Sequence, residues 1–153
     1  MARLLGSRDC IVCGQDNPDG MRLRFRVDEA GAEAAWTVAG RFQGFRDVLQ
    51  GGIVLAILDD CMWYAAYGRG GVTLTAEASV RYRARVPVGA AVVGRGRVLG
   101  RRGRLWTCSA ELVAAGSGAV LASAQGKFMA VSPGDLEELI AGTRVHELPA
   151  GAQ

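Results

Sequence analysis

The chain has 153 residues and a mass of 16.1 kDa, the size of one domain with a sizeable core; half of its residues are hydrophobic and 22% are charged. That composition argues against long disorder, and no apolar run is long enough to span a bilayer. A net charge of +3 does not imply a nucleic-acid partner, and Met1 to Arg8 holds no apolar core of signal-peptide length, so a cytosolic protein without membrane contact is expected.

Residues 1–20 read as a leader loop, punctuated by Gly14, Asn17-Pro18 and Asp19-Gly20. It holds two of the four cysteines, Cys10 and Cys13, while Cys61 and Cys108 lie in apolar contexts that suit small core residues. The Cys-x-x-Cys spacing fits zinc or redox chemistry, but tetrahedral zinc needs two more ligands and the only histidine is His146. Two reduced thiols and no metal are therefore expected.

From Met21 to Asp28, apolar Met21, Leu23, Phe25 and Val27 alternate with Arg22, Arg24, Arg26 and Asp28, a period of two that predicts a strand with one wet face. A second strand is predicted over Glu33 to Ala39, joined through Glu29-Ala30-Gly31 as a hairpin. An aromatic loop with Phe42, Gln43 and Phe45 leads to the central stretch, a nearly all-apolar helix from Gly52 to Tyr67 closed by Gly68. Four strands follow, over Val72 to Val86, Ala90 to Leu99, Leu105 to Ala114 and Val120 to Val131, separated by turns rich in glycine or proline. Pro133 to Ile140 predicts a short terminal helix, and the last residues read as frayed. Residues 21–131 thus form one domain and 132–153 a tail. Two strands, a buried helix and four more strands predict an α+β layer in which a curved antiparallel sheet wraps around one long helix.

The central helix carries Asp59 and Asp60 in its middle, and a buried charge costs free energy unless it is paired, hydrogen-bonded or put to use. Its first residues, Gly51 and Gly52, offer backbone N–H groups without intrahelical partners at the positive end of the helix dipole, where glycine lets a ligand approach closely. Such donors suit a carbonyl oxygen that becomes negative, and Asp59 suits a base or a nucleophile. Asp59 lies seven residues beyond Gly52, on nearly the same helix face but about 10 Å along the axis. One carbonyl cannot reach both within one chain, so a homodimer with antiparallel helices and two interfacial sites is expected, with a dimer of dimers left open. Asp59 shares its face with Leu55, Ala56, Trp63 and Ala66, groups that could border a cleft. Asp60 sits about 100° away, beside Ile53, Ile57, Tyr64 and Tyr67, where a tyrosine hydroxyl or a subunit contact could satisfy it.

Several segments carry a resemblance: Cys10 to Gly20, Gln50-Gly51-Gly52 followed by Asp59-Asp60, Thr75 to Tyr82 with Pro87 beyond, and Ala124-Gln125-Gly126-Lys127-Phe128. Their order and spacing over residues 10–131 resemble the hotdog-fold acyl-CoA thioesterases, of the phenylacetate-type and 4-hydroxybenzoyl-CoA thioesterase-like branch. The resemblance implies a single hotdog domain that hydrolyses the thioester of a small or aromatic acyl-CoA, with no cofactor beyond the CoA of the substrate. It also implies Asp59 as the catalytic acid, base or nucleophile left open, with Thr75 near it to orient water. Gln50 departs from the family's histidine; glutamine can cap the loop but is no base near neutral pH. Gln43 could reach a substrate carbonyl or solvent. Eight arginines between Arg81 and Arg104, with no acid from Ala78 to Ala110, favour a polyanion such as the phosphates of coenzyme A. Arg81, Arg83 and Arg85 are expected on one strand face and Arg101 and Arg102 in an exposed turn. The rival readings are a non-catalytic acyl-CoA-binding or regulatory protein, which Gln50 favours, and an interaction domain that binds no CoA.

Overall fold

The computed structural model describes residues 5–147. Along the chain run β1 (Leu5–Ser7), β2 (Arg26–Asp28), β3 (Gly31–Thr37), a 3-10 turn (Gly40–Phe42), α1 (Gly51–Gly68), β4 (Thr73–Tyr82), β5 (Ala91–Arg102), β6 (Leu105–Ala114), β7 (Val120–Ala130), α2 (Pro133–Ala141) and β8 (Val145–Glu147). Six strands form one antiparallel sheet in the order β2-β3-β5-β6-β7-β4, and β1 pairs with β8 in a two-stranded ribbon. Among the described residues no helix is long and apolar enough to cross a membrane.

α1 is the centre of the core. Val54, Ile57, Leu58, Cys61, Met62, Tyr64, Ala65 and Ala66 are buried along it, against Val92, Trp106, Cys108, Leu112 and Phe128 of the sheet. Each of its large apolar side chains contributes roughly 1.5–3 kcal/mol by leaving water. Cys61 and Cys108 are fully buried, as their apolar contexts predict. The helix lies very close to β5, where a Cβ on Gly96 would stand 2.0 Å from the carbonyl oxygen of Cys61. Only glycine fits there. At the helix start the Gln50 side chain accepts from the Ile53 N–H at 3.0 Å. At its end Gly68 is the last helical residue, and the reversal falls at Gly70, whose φ is +86°.

The elements keep their predicted order, with two departures in kind. Met21 to Asp28 does alternate buried and exposed, yet only Arg26–Asp28 is sheet. Arg22 has a φ of 55°, and the N–H groups of Met21 and Leu23 donate to Ile11 and Val12 of the leader rather than to a strand. The ribbon of β1 with β8 was not predicted; it ties the leader to the tail, helped by Arg144, which pairs with Asp9 and Asp16. The predicted terminal helix is α2, capped by Ser132, whose hydroxyl accepts from the Asp135 N–H. The expected fraying past residue 147 lies outside the described residues.

Candidate active site

Asp59 projects from the middle of α1 toward β4, where the Thr75 hydroxyl donates to its Oδ1 at 2.8 Å. A bulge between Thr75 and Glu77 interrupts the pairing of β4 with β7 at this point, a device that re-aims a side chain at a strand edge. Burial raises the Asp59 carboxyl above the ordinary aspartate range, and the bond from Thr75 opposes the rise. Trp63, one turn on, is fixed by other means: its indole N–H donates to the Thr73 carbonyl at 2.7 Å and its ring stacks on Tyr67. It is a packed wall rather than a free side chain.

The glycine end is built separately. With Ile53 capped by Gln50, the Gly51 and Gly52 N–H groups have no hydrogen-bond partner among the described residues. The Tyr82 hydroxyl donates to the Gly51 carbonyl at 2.8 Å and so fixes the plane of the peptide that follows. A groove of about 440 Å³ runs past Gly51, lined by Leu49, Val54, Tyr82, Arg83 and Arg85 among others. Gln43 lies outside it, exposed, with its side chain accepting from the Asp47 N–H at 3.2 Å; it holds the loop together.

The arginines do not share one face. Strand pairing of β4 stops at Tyr82 and the N–H groups of Arg83 and Ala84 both turn to the Leu121 carbonyl, so Arg83 and Arg85 border the groove while Arg81 joins Arg95 and Arg97 on the outer sheet. Arg101 and Arg102 belong to β5 rather than to a turn, paired with Trp106 and Leu105 at the opposite end of the sheet from Tyr82. Arg101 stacks on the Trp106 ring, 4.8 Å from its centroid. The structure therefore brings Arg83 and Arg85 to the glycine end and leaves Arg101 and Arg102 away from it.

Asp60 also departs from expectation. The Tyr64 hydroxyl donates to the Cys13 sulfur at 3.1 Å rather than to Asp60, and Asp60 faces the Cys10 thiol, with Sγ 3.8 Å from its Oδ2. Burial, followed by the charge of Cys10, holds the Asp60 carboxyl well above the usual aspartate range. The Cys10 thiol is drawn down to about 6, first by the hydrogen bond from the Cys13 thiol and then by backbone N–H groups that favour its thiolate.

Tyr82 was missed as a site residue, although chain geometry could have found it. A helix of 18 residues is about 27 Å long. An antiparallel strand of 10 residues returns about 30 Å, which carries its last residue back to the helix start.

A family model described as thioesterase superfamily matches residues 47–121, from the loop before α1 to the start of β7. Among solved structures, a thioesterase superfamily protein superposes with a TM-score of 0.75 at 24% identity, covering 80% of this chain and 60% of its own. This chain thus spans less than two thirds of that protein's length. The PaaI protein of E. coli, from the phenylacetic acid degradation operon, matches with a TM-score of 0.67 at 16% identity over 71% of this chain and 83% of its own. A Streptococcus mutans protein bound to acetyl CoA matches with a TM-score of 0.68 at 12% identity over 72% and 89%. A search of the curated proteins finds no match. The sheet order and the single long helix packed against the sheet give the chain the hotdog fold that these neighbours share, and its residues 47–121 are similar to the thioesterase superfamily.

Proposed function

We propose that the chain hydrolyses the thioester of a small or aromatic acyl-CoA, releasing the free acid and coenzyme A, at two sites formed between the subunits of a homodimer. The observation that carries this reading is the hydrogen-bonded Asp59–Thr75 pair on a helix whose first two N–H groups are left open. The open N–H groups of Gly51 and Gly52 receive the thioester oxygen as it becomes negative. Asp59 takes a proton from water as its oxygen adds to the carbonyl carbon; collapse of the intermediate breaks the C–S bond, and the leaving thiolate takes the proton back from Asp59 to depart as CoA. Thr75 spends its hydroxyl proton on Asp59 and keeps its lone pairs for that water. Arg83 and Arg85 beside the groove suit the phosphates of CoA, and the structural neighbour bound to acetyl CoA supports a ligand of this class.

The two halves lie on one helix about 10 Å apart, so they meet only across a two-fold axis. β4 is the edge of the sheet, ten residues long, with Leu74 and Tyr82 about half exposed, which suits antiparallel pairing with a second copy. An axis near Ala78 brings Thr75 of one protomer close to the Arg81–Tyr82 end of the partner subunit's strand, and so Asp59 toward the partner's Gly51.

Gln50 in place of histidine favours a second reading, binding without turnover. Incubating the protein with a panel of acyl-CoA esters and following free thiol separates the two. Thiol release supports hydrolysis; calorimetric binding of the same esters without thiol release supports the second reading, and neither signal removes CoA from the account.

A further inference from the structure

The leader loop and the far side of α1 bring together three groups that the thioesterase reading does not use. Cys10 to Gly14 form one tight turn, closed by the Gly14 N–H donating to the Cys10 carbonyl at 2.9 Å. The Val12 and Cys13 N–H groups both donate to the Cys10 sulfur at 3.4 Å. Gly14 cannot be replaced without moving the turn, because a Cβ there would stand 2.5 Å from backbone atoms of Arg8 and Cys10. The turn is pinned from outside by Leu23 N–H to Val12 and by the Gln15 side-chain amide to the carbonyls of Cys13 and Leu23. Both sulfurs thus point at α1, where the Asp60 carboxylate faces them.

One sulfur from each cysteine and a carboxylate oxygen of Asp60 lie within 4.8 Å of one another. In a tetrahedral zinc site, bonds of about 2.0–2.3 Å place the ligand atoms roughly 3.5–3.8 Å apart, so closure asks each donor to move about 1 Å or less. The charges point the same way. Among the described residues no basic group pairs with Asp60. Once they give up their protons to coordinate, two thiolates and a carboxylate carry three charges in a largely buried position, and a divalent ion offsets two of them. Sulfur donors select zinc-class ions over magnesium or calcium. The Tyr64 hydroxyl on the Cys13 sulfur is the kind of outer hydrogen bond that orients a ligand.

We propose that Cys10, Cys13 and Asp60 bind one zinc-class divalent ion per chain, with solvent as the fourth ligand beside the half-buried Cys10, and that this ion clamps the leader to α1 next to Asp59. The missing ligand of the Cys-x-x-Cys pair is thus an aspartate 50 residues from Cys10, brought in by the fold. The ion stands about 100° around the helix from Asp59, so its task is to hold the helix and the leader in register.

The site is read without any assay of turnover. Full-length protein stripped with a chelator is titrated with cobalt(II) in an anaerobic, reducing buffer, and the zinc content of untreated protein is measured by mass spectrometry. One equivalent of cobalt with tetrahedral d–d bands and thiolate charge-transfer absorption is expected, along with a melting temperature that zinc raises and chelator lowers. Cys10→Ser and Cys13→Ser lose the charge-transfer absorption, and Asp60→Asn, which keeps both thiols, weakens cobalt binding roughly tenfold or more. Cobalt bound without a thiolate band, no stoichiometric binding, or an Asp60→Asn titration that matches the wild type overturns the proposal. Should a serine variant fail to fold, the wild-type and Asp60→Asn titrations still decide it.

Discussion

Replacing Asp59 with asparagine changes one thing at the proposed site. The side chain keeps its shape and its Oδ1 still accepts from the Thr75 hydroxyl, now 2.8 Å away, so packing and the local bond survive while the base is lost. A general base contributes about 10²–10⁴ in rate, or about 3–5 kcal/mol of barrier. The Asp59→Asn protein should therefore lose turnover by that factor, with KM nearly unchanged, in an assay of thiol release from the best ester of the panel. Stability should move the other way. Burial raises the Asp59 carboxyl, so its ionisation costs folding free energy as pH rises through the folded value, and the neutral amide is spared that cost. A melting temperature at neutral pH equal to or above the wild type is expected. Turnover of Asp59→Asn within threefold of the wild type, in a protein that melts normally, would refute the assignment.

Thr75→Ala removes the bond that lowers the Asp59 carboxyl, leaving burial unopposed; the acid limb of the rate profile, where activity falls as Asp59 is protonated, should move to higher pH. Turnover near neutral pH should drop roughly tenfold, as for loss of one hydrogen bond to a charged group, and Thr75→Ser should restore both. Gly96→Ala should lower stability by about 3 kcal/mol, the upper end for overpacking, because the added carbon meets backbone of Cys61 rather than a side chain that can turn away. Gly100→Ala, with nothing near its Cβ, should melt within a degree or two of the wild type.

What could be read from residues alone followed from local chemistry. Turn residues and period-two runs give the strands, and the glycine-bounded apolar run gives α1. At Met21 to Phe25 the same period describes burial faithfully but not pairing, since the hydrogen bonds go to the leader. Nothing local announces the ribbon of Leu5–Ser7 with Val145–Glu147, two short pieces from opposite ends of the chain. The site divides along the same line. Gly51, Gly52, Asp59 and Thr75 stand out by spacing and by family pattern, whereas the meeting of Cys10, Cys13 and Asp60 depends on where a glycine-rich turn docks. The arginine block misleads because pairing of β4 ends at Tyr82 and β5 runs on through Arg102, so sequence neighbours part to different faces and ends of the sheet.

The central claim is that each site takes its glycines from one subunit and its aspartate from the other, and subunit mixing tests it directly. Proline is tolerated at the first helical position and lacks the N–H, and Gln50 already holds the extended backbone that a following proline requires, so Gly51→Pro removes one donor with little change to the helix. Alone it should lose about 10²–10³ in turnover. Coexpressed with Asp59→Asn, half of the dimers are mixed, and each rebuilds one of its two sites, so about a quarter of wild-type activity should return. A mixture no more active than the mean of its two parents would contradict the account.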